Sequence, residues 1–143
     1  YGLRALRAER RAFADVAAAV GLRPVAPRLP ASVFSGGNQQ KLVLGRWVNR
    51  WRPTGVLLLD DPTQGVDVGS RREIYRVVAD LAARHGTAVL FASSDPEEVV
   101  ELAHRCLVLD CGLVRRELAG ADLTEAALLA TVHDAQSTGE GSG

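Results

Sequence analysis

Methionine is absent from these 143 residues, and lysine occurs once, at Lys41, beside sixteen arginines. That bias fits a genomic base composition and carries no functional argument. The basic and acidic side chains number 17 each, so the chain as a whole has no attraction to nucleic acid or to anionic lipid. Long apolar runs are also missing: none reaches the roughly 18 residues that a membrane-spanning helix needs, and no signal peptide is visible. Cysteine is scarce. Cys106 and Cys111 lie five residues apart, and on an extended strand an odd spacing sends two side chains to opposite faces. They are poor disulfide partners, and their spacing fits neither a zinc pair nor a redox motif, which implies a reducing compartment. The chain opens on Tyr1 in mid-pattern, so it reads as a piece of something longer.

What is present is globular. With 47% hydrophobic and 24% charged residues, the composition is that of a folded domain rather than a disordered chain. A chain of this length can bury a core.

The apolar residues Leu3, Leu6, Phe13, Val16 and Val20 recur at near-helical spacing over residues 2–20, and Gly21 fits a helix stop. "LRPVAPRLP" is a loop. A second helix is expected from Ser35 to about Asn49, with Trp47 and Trp51 one turn apart in the core. "GVLLLDD" (55–61) reads as a strand buried on both faces and ending in two acids. Ile74, Val77, Val78 and Leu81 stand at i, i+3, i+4 and i+7 of a helix over 70–84. "TAVLFAS" is a second buried strand, and Asp95 with Pro96 opens the next helix. "RCLVLD", Gly112 and "LVRREL" form a hairpin, Asp122 with Glu125 resembles a capping box before a last helix, and residues 135–143 are expected to be a disordered tail. This order is the grammar of an α/β fold with a mostly parallel sheet, whose ligands bind beyond the carboxyl ends of the strands. Asp60 and Asp61 sit at one such end, Ser93 and Ser94 at another.

Two short stretches carry chemistry. In "VFSGGNQQKLVLG" (33–45) a serine and two glycines precede a helix. The first turn of a helix leaves amide N–H groups unpaired and mildly positive. Ser35, Gly36 and Gly37 can therefore admit an anion such as phosphate, or simply cap the helix. In "LLLDD" a carboxylate ends an apolar strand, a place suited to Mg²⁺, and the acid after it can reach an attacking water; a plain strand end explains the same residues.

Taken in order, "FSGGNQQK", "VLLLDDPTQGVDVGSRREIY" and "VLFASSDPEEV" resemble the ATP-binding subunit of ABC transporters, and most closely the second nucleotide-binding domain of the monosaccharide-importer branch. The likeness runs from about residue 31 to 133. It implies a P-loop NTPase-like fold, with residues 1–50 in a helical subdomain and 51–134 in the C-terminal part of the ATPase core. It also implies ATP and Mg²⁺ as cofactors. Phe34 to Asn38, with Gln39 following, match the signature that binds nucleotide in trans. Asp60 matches the Mg²⁺-binding aspartate of the Walker B strand. Asp61 stands where the family has its catalytic glutamate, and Gln64, Gly65, Val66 and Asp67 form the D-loop. Ser94 stands at the switch-histidine position. The partners implied are a second nucleotide-binding domain in the same or another chain, transmembrane permease subunits and, indirectly, an extracytoplasmic sugar-binding protein, with no nucleic acid. The place implied is the cytoplasmic face of the membrane.

The departures from that pattern are specific. No G-x-x-x-x-G-K-[ST] occurs, and the family pattern puts that loop before Tyr1. Asp61 is one methylene shorter than glutamate, which withdraws the carboxylate by roughly 1 Å, a displacement that can cost on the order of 10² in rate. Ser94 cannot carry the charge of an imidazole. The expectation is an asymmetric pair, in which this chain's own site is degenerate while its signature completes the site opposite. The alternatives are a non-hydrolysing partner half and, less favoured because no heptad run appears, a chromosome-maintenance ATPase. His85 at a helix end, His104, His133, Arg71 and Arg72 are expected to be surface residues.

Overall fold

The computed structural model describes residues 6–47 and 55–139, with the side chains of His85 and of residues 135–139 left aside. Leu3, Asn49 and Trp51 lie outside the described residues. The chain divides into two compact units, Tyr1–Ala92 and Ser93–Gly143.

In the first unit, α1 covers Leu6–Ala19. It stops where Gly21 takes a positive φ of 62°, a left-handed turn that glycine adopts without steric cost. A short 3-10 turn, Ala31–Val33, leads into α2, Gly36–Gly45. The strand β1, Val56–Asp60, is followed by α3, Val68–His85, and by β2, Ala88–Ala92. The two strands are parallel and in register from Val56 opposite Ala88 to Asp60 opposite Ala92. The stripe expected on α3 forms its buried face: Ile74, Val77, Val78 and Leu81 are all inside, each worth about 2 kcal/mol of apolar burial. α3 packs on β2, α2 on α3 and α1 on α2.

Two expectations need correction here. The strands are not buried on both faces: Leu57 is inside, whereas Val56, Leu58 and Leu90 are largely exposed, Leu58 at 69%. Alternate residues of a strand face opposite ways, and among the described residues only one side of this pair is covered. Trp47 is not core either; it is 49% exposed, at the turn where α2 has already ended.

In the second unit, α4 (Pro96–Leu102) starts with Asp95 accepting a hydrogen bond from the Glu97 amide. The strands β3 (Arg105–Asp110) and β4 (Leu113–Ala119) form the expected antiparallel hairpin, with a bulge between Val108 and Leu109. Cys111 and Gly112 both take positive φ at its tip, as a two-residue hairpin turn requires. Cys106 is half-buried on β3 and Cys111 exposed in the turn, both as free thiols. Burial pushes the Cys106 thiol pKa up. The last helix, α5, spans Glu125–Gly139 and packs on the hairpin. Its cap differs from the expected one. Asp122 belongs to a 3-10 turn, and Thr124 Oγ1 accepts the Ala127 amide instead. The helix also continues past residue 134, into the stretch expected to be a disordered tail, because once nucleated each added residue gains a hydrogen bond.

Candidate functional site

α2 opens on Ser35, whose backbone is extended (φ −59°, ψ 158°) and whose side chain makes no hydrogen bond to the first-turn amides. Ser35 Oγ instead accepts from Asn38 Nδ2 at 3.1 Å, and Gln39 Nε2 donates back to the Phe34 carbonyl at 2.8 Å. Three other helices differ. α3 is closed by Asp67, α4 by Asp95 and α5 by Thr124, each with a side-chain oxygen on an amide of the first turn. α2 carries no acidic residue in its first turn. Ser35, Gly36 and Gln39 are exposed and Asn38 half-exposed. An uncapped, acid-free, accessible helix start keeps its N–H groups and its positive dipole end available to an anion.

The glycines are less alike than the motif implied. Gly36 is exposed, and a side chain there would meet only the Gly65 carbonyl, at 3.5 Å. Gly37 points inward: a Cβ on it would lie 2.5 Å from Ser70 Cβ and 2.6 Å from Ser70 Oγ. Its missing side chain thus lets α2 approach the first turn of α3, and that close packing is a sufficient reason for glycine.

The loop after β1 lies against the same helix opening. Asp60 closes β1 with an exposed carboxylate. Asp61 has φ 40°, a left-handed conformation that aspartate tolerates better than longer side chains. Its amide donates to the Ala92 carbonyl at 2.9 Å, and its own carbonyl accepts from the Gln64 amide at 3.0 Å. Gly65 supplies a second positive φ, and the Val66 amide donates to the Thr63 carbonyl. Asp67 then caps α3. Hydrogen bonds from Ser70, first from its side chain and then from its backbone, hold the Asp67 carboxyl below the usual carboxylate value of 3.8. Gln64 and Gly65 are exposed beside Gly36, and Val66 is buried. The structure thus brings Ser35 to Gln39 and Gln64 to Asp67 together at one end of the first unit.

Ser94, in the second unit, is exposed in the short loop where Ser93 Oγ accepts the Asp95 amide at 3.0 Å. Three further side chains hold the first unit's site, none of them marked in the sequence as a tie. Gln40 Nε2 donates to the Pro62 carbonyl at 2.7 Å. Lys41 is 4% exposed, ion-paired with Glu73 and donating to the Gly21 carbonyl at 3.3 Å. Arg71, expected on a solvated face, is only half-exposed and donates from Nε to the Val66 carbonyl. The only signals for Lys41 were its uniqueness in an arginine-rich chain and its spacing of four from Gly37.

The residues present suit part of a Mg²⁺–triphosphate. One strand-end carboxylate is enough protein ligand for Mg²⁺, which usually takes the rest from phosphates and water. Among the described residues no cluster of three His, Cys, Asp or Glu could hold a metal alone. The open start of α2 fits a terminal phosphate.

No family profile matches the chain. The chain is similar to ribose import ATP-binding protein RbsA 1 of Mesorhizobium japonicum, 40% identical over 87% of this chain and 24% of the relative. It is similar to arabinose import ATP-binding protein AraG of Pectobacterium atrosepticum, 53% identical over 67% of this chain and 18% of the relative. A ribose/galactose/methyl galactoside import ATP-binding protein of Burkholderia lata is 37% identical over 94% of this chain and 27% of the relative. Among solved structures, a dimeric bacterial ABC transporter cassette superposes with a TM-score of 0.68 at 22% identity, covering 83% of this chain and 50% of that one. An ATP-binding cassette of an ABC transporter gives 0.71 at 19% identity, over 97% and 51%. At such identities the structures speak for the fold alone. The chain belongs to the family of ABC transporter ATP-binding proteins, and it spans about a quarter of the length of the curated relatives it matches, which are named for sugar import.

Proposed function

We propose that this chain is part of the energy-coupling module of an ABC importer for a monosaccharide, acting through a second nucleotide-binding domain and permease subunits on the cytoplasmic face of the membrane. Its opening at Ser35 to Gln39 takes the terminal phosphate of an ATP held by the partner domain. The observation that carries this reading is the contrast among helix starts: three are closed by their own side chains, whereas that of α2 is open. The names of the sugar-import relatives support the substrate class.

In this reading the residues divide their tasks by geometry. The Ser35 hydroxyl and the first amides of α2 donate to phosphate oxygens, and Asn38 orients that hydroxyl. Asp60 would hold Mg²⁺, which neutralises phosphate charge when bound. By the family motif Asp61 stands at the catalytic-carboxylate position and Ser94 at the switch position of this chain's own nucleotide site. The shorter carboxylate and the missing imidazole make that site slow or binding-only.

The test is steady-state ATP hydrolysis by the complete transporter with the substitutions placed in this segment. Ser35→Arg fills the anion position with a bulky side chain and is expected to lose nearly all activity, while Asp61→Glu changes it less than about twofold. The reverse ordering contradicts the asymmetric pair. Loss in neither variant contradicts the phosphate-facing role of α2.

A further inference from the structure

Gln40 and Lys41 are neighbours on α2, about 100° apart around a helix of 3.6 residues per turn, and they reach different places. Gln40 grips the start of the turn after β1, at the Pro62 carbonyl, at 2.7 Å. Lys41 grips the element that follows the turn, pairing with Glu73 in the second turn of α3. Its ammonium also donates to the Gly21 carbonyl, the stop of α1. One turn earlier on α2, Gly37 lies against Ser70, the residue whose amide is capped by Asp67. The contacts 37 to 70 and 41 to 73 advance in the same sense, so α2 and α3 run side by side with their N-terminal ends together. The turn from Pro62 to Asp67 is consequently tied to α2 directly at Pro62 and, beyond its other end, through α3, and Arg71 braces that second end through the Val66 carbonyl.

We propose that Lys41, with Gln40, is a positioning residue that makes the opening of α2 and the turn from Asp61 to Asp67 one rigid body. The inference rests on the reading of that opening as a phosphate-facing surface and adds a consequence. A ligand that draws Ser35 to Asn38 inward also moves Asp61, so engagement of the partner's nucleotide is felt at this chain's own strand end. A lysine is suited to this place. Its apolar stem lines the packed interface, its ammonium is almost wholly covered, and its three donors serve two elements at once. The Glu73 side chain is 53% exposed, so an apolar isostere at position 41 removes the tie between the elements while the packing stays filled and Glu73 stays solvated.

The experiment is amide hydrogen exchange on the 143-residue chain, native and with Lys41→Met, Lys41→Arg or Gln40→Leu. In the native chain the Gln39, Gln64 and Val66 amides, each hydrogen-bonded in the backbone, are expected to exchange at similar rates, as members of one opening unit. Lys41→Met is expected to speed all three about tenfold while leaving the β2 amides unchanged, because the loss is a local opening and not global unfolding. Lys41→Arg restores most of the protection, and Gln40→Leu affects Gln64 and Val66 more than Gln39. Faster exchange confined to α2, or spread equally over β2, overturns the proposal. A second arm adds a non-hydrolysable ATP analogue and a nucleotide-binding domain with an intact P-loop. Slowing at Gln39 that spreads to Val66 in the native chain but not in Lys41→Met supports the coupling. Slowing that stays at Gln39 in the native chain contradicts it. If the native chain shows no slowing at Gln39, the phosphate reading of α2 fails, and the ligand-free comparison still decides whether the two segments form one body.

Discussion

Gly37 shows how one residue answers to two demands. As part of a phosphate-binding motif it needs no side chain, and as the contact of α2 with Ser70 it has no space for one. The structure separates these demands by comparison with Gly36, where a Cβ would meet ordinary van der Waals contact. Gly37→Ala forces the two helices apart, at a cost of roughly 1–3 kcal/mol for overpacking. Gly36→Ala, which replaces a glycine at a helical position with the best helix former, is expected to be neutral or mildly stabilising. Urea unfolding of the two variants measures the difference. Asp67 offers a second test at this scale. Its folded pKa lies below 3.8 through its hydrogen bonds with Ser70. Its contribution to stability is therefore present in full above that ordinary value and is lost as the pH falls through the lower, folded one. The stability gap between the native chain and Asp67→Asn should be constant from neutral pH down to about 4 and close on further acidification. A gap that instead widened in acid would show that the carboxylate is not the form Ser70 holds.

At the scale of elements, α3 was the most legible part of the chain. Four apolar residues at helical spacing have one arrangement that buries them all, and Asp67 and Gly86 mark its ends by an acidic cap and a left-handed stop. The strands were only half legible. In "VLLL" every residue is apolar, so nothing in the pattern shows which face is covered, and Leu58 and Leu90 emerged exposed. Of the candidate site, the sequence marked the opening of α2 and the acids after β1 through motifs. The ties that hold them together were hidden, because a lysine is rarely buried and a glutamine gripping a carbonyl twenty-two residues away leaves no local trace. The start of α5 was misread for a related reason: Asp122 and Glu125 have a capping-box spacing, yet a 3-10 turn takes up Asp122 and passes the cap to Thr124. Thr124→Ala is therefore expected to cost about 1 kcal/mol, and Asp122→Ala much less. Thermal unfolding of both variants checks the assignment.

For the whole molecule, each unit carries an apolar face that its own elements leave open. Val56, Leu58 and Leu90 form one in the first unit, and Leu107, Leu109 and Val114 form one in the second. The function proposed is likewise one of completion. The open start of α2 offers hydrogen-bond donors, while no glycine-rich phosphate loop occurs in the 143 residues. In the proposed function a partner domain anchors the nucleotide and this chain supplies the closing surface. The most direct measurement is a structure of this segment, in its transporter, trapped with a non-hydrolysable ATP analogue. The expected result places Ser35 Oγ and the Gly37 amide about 3 Å from oxygens of a terminal phosphate bound to the other domain. A terminal phosphate that is met by other groups, with the start of α2 facing solvent, contradicts it.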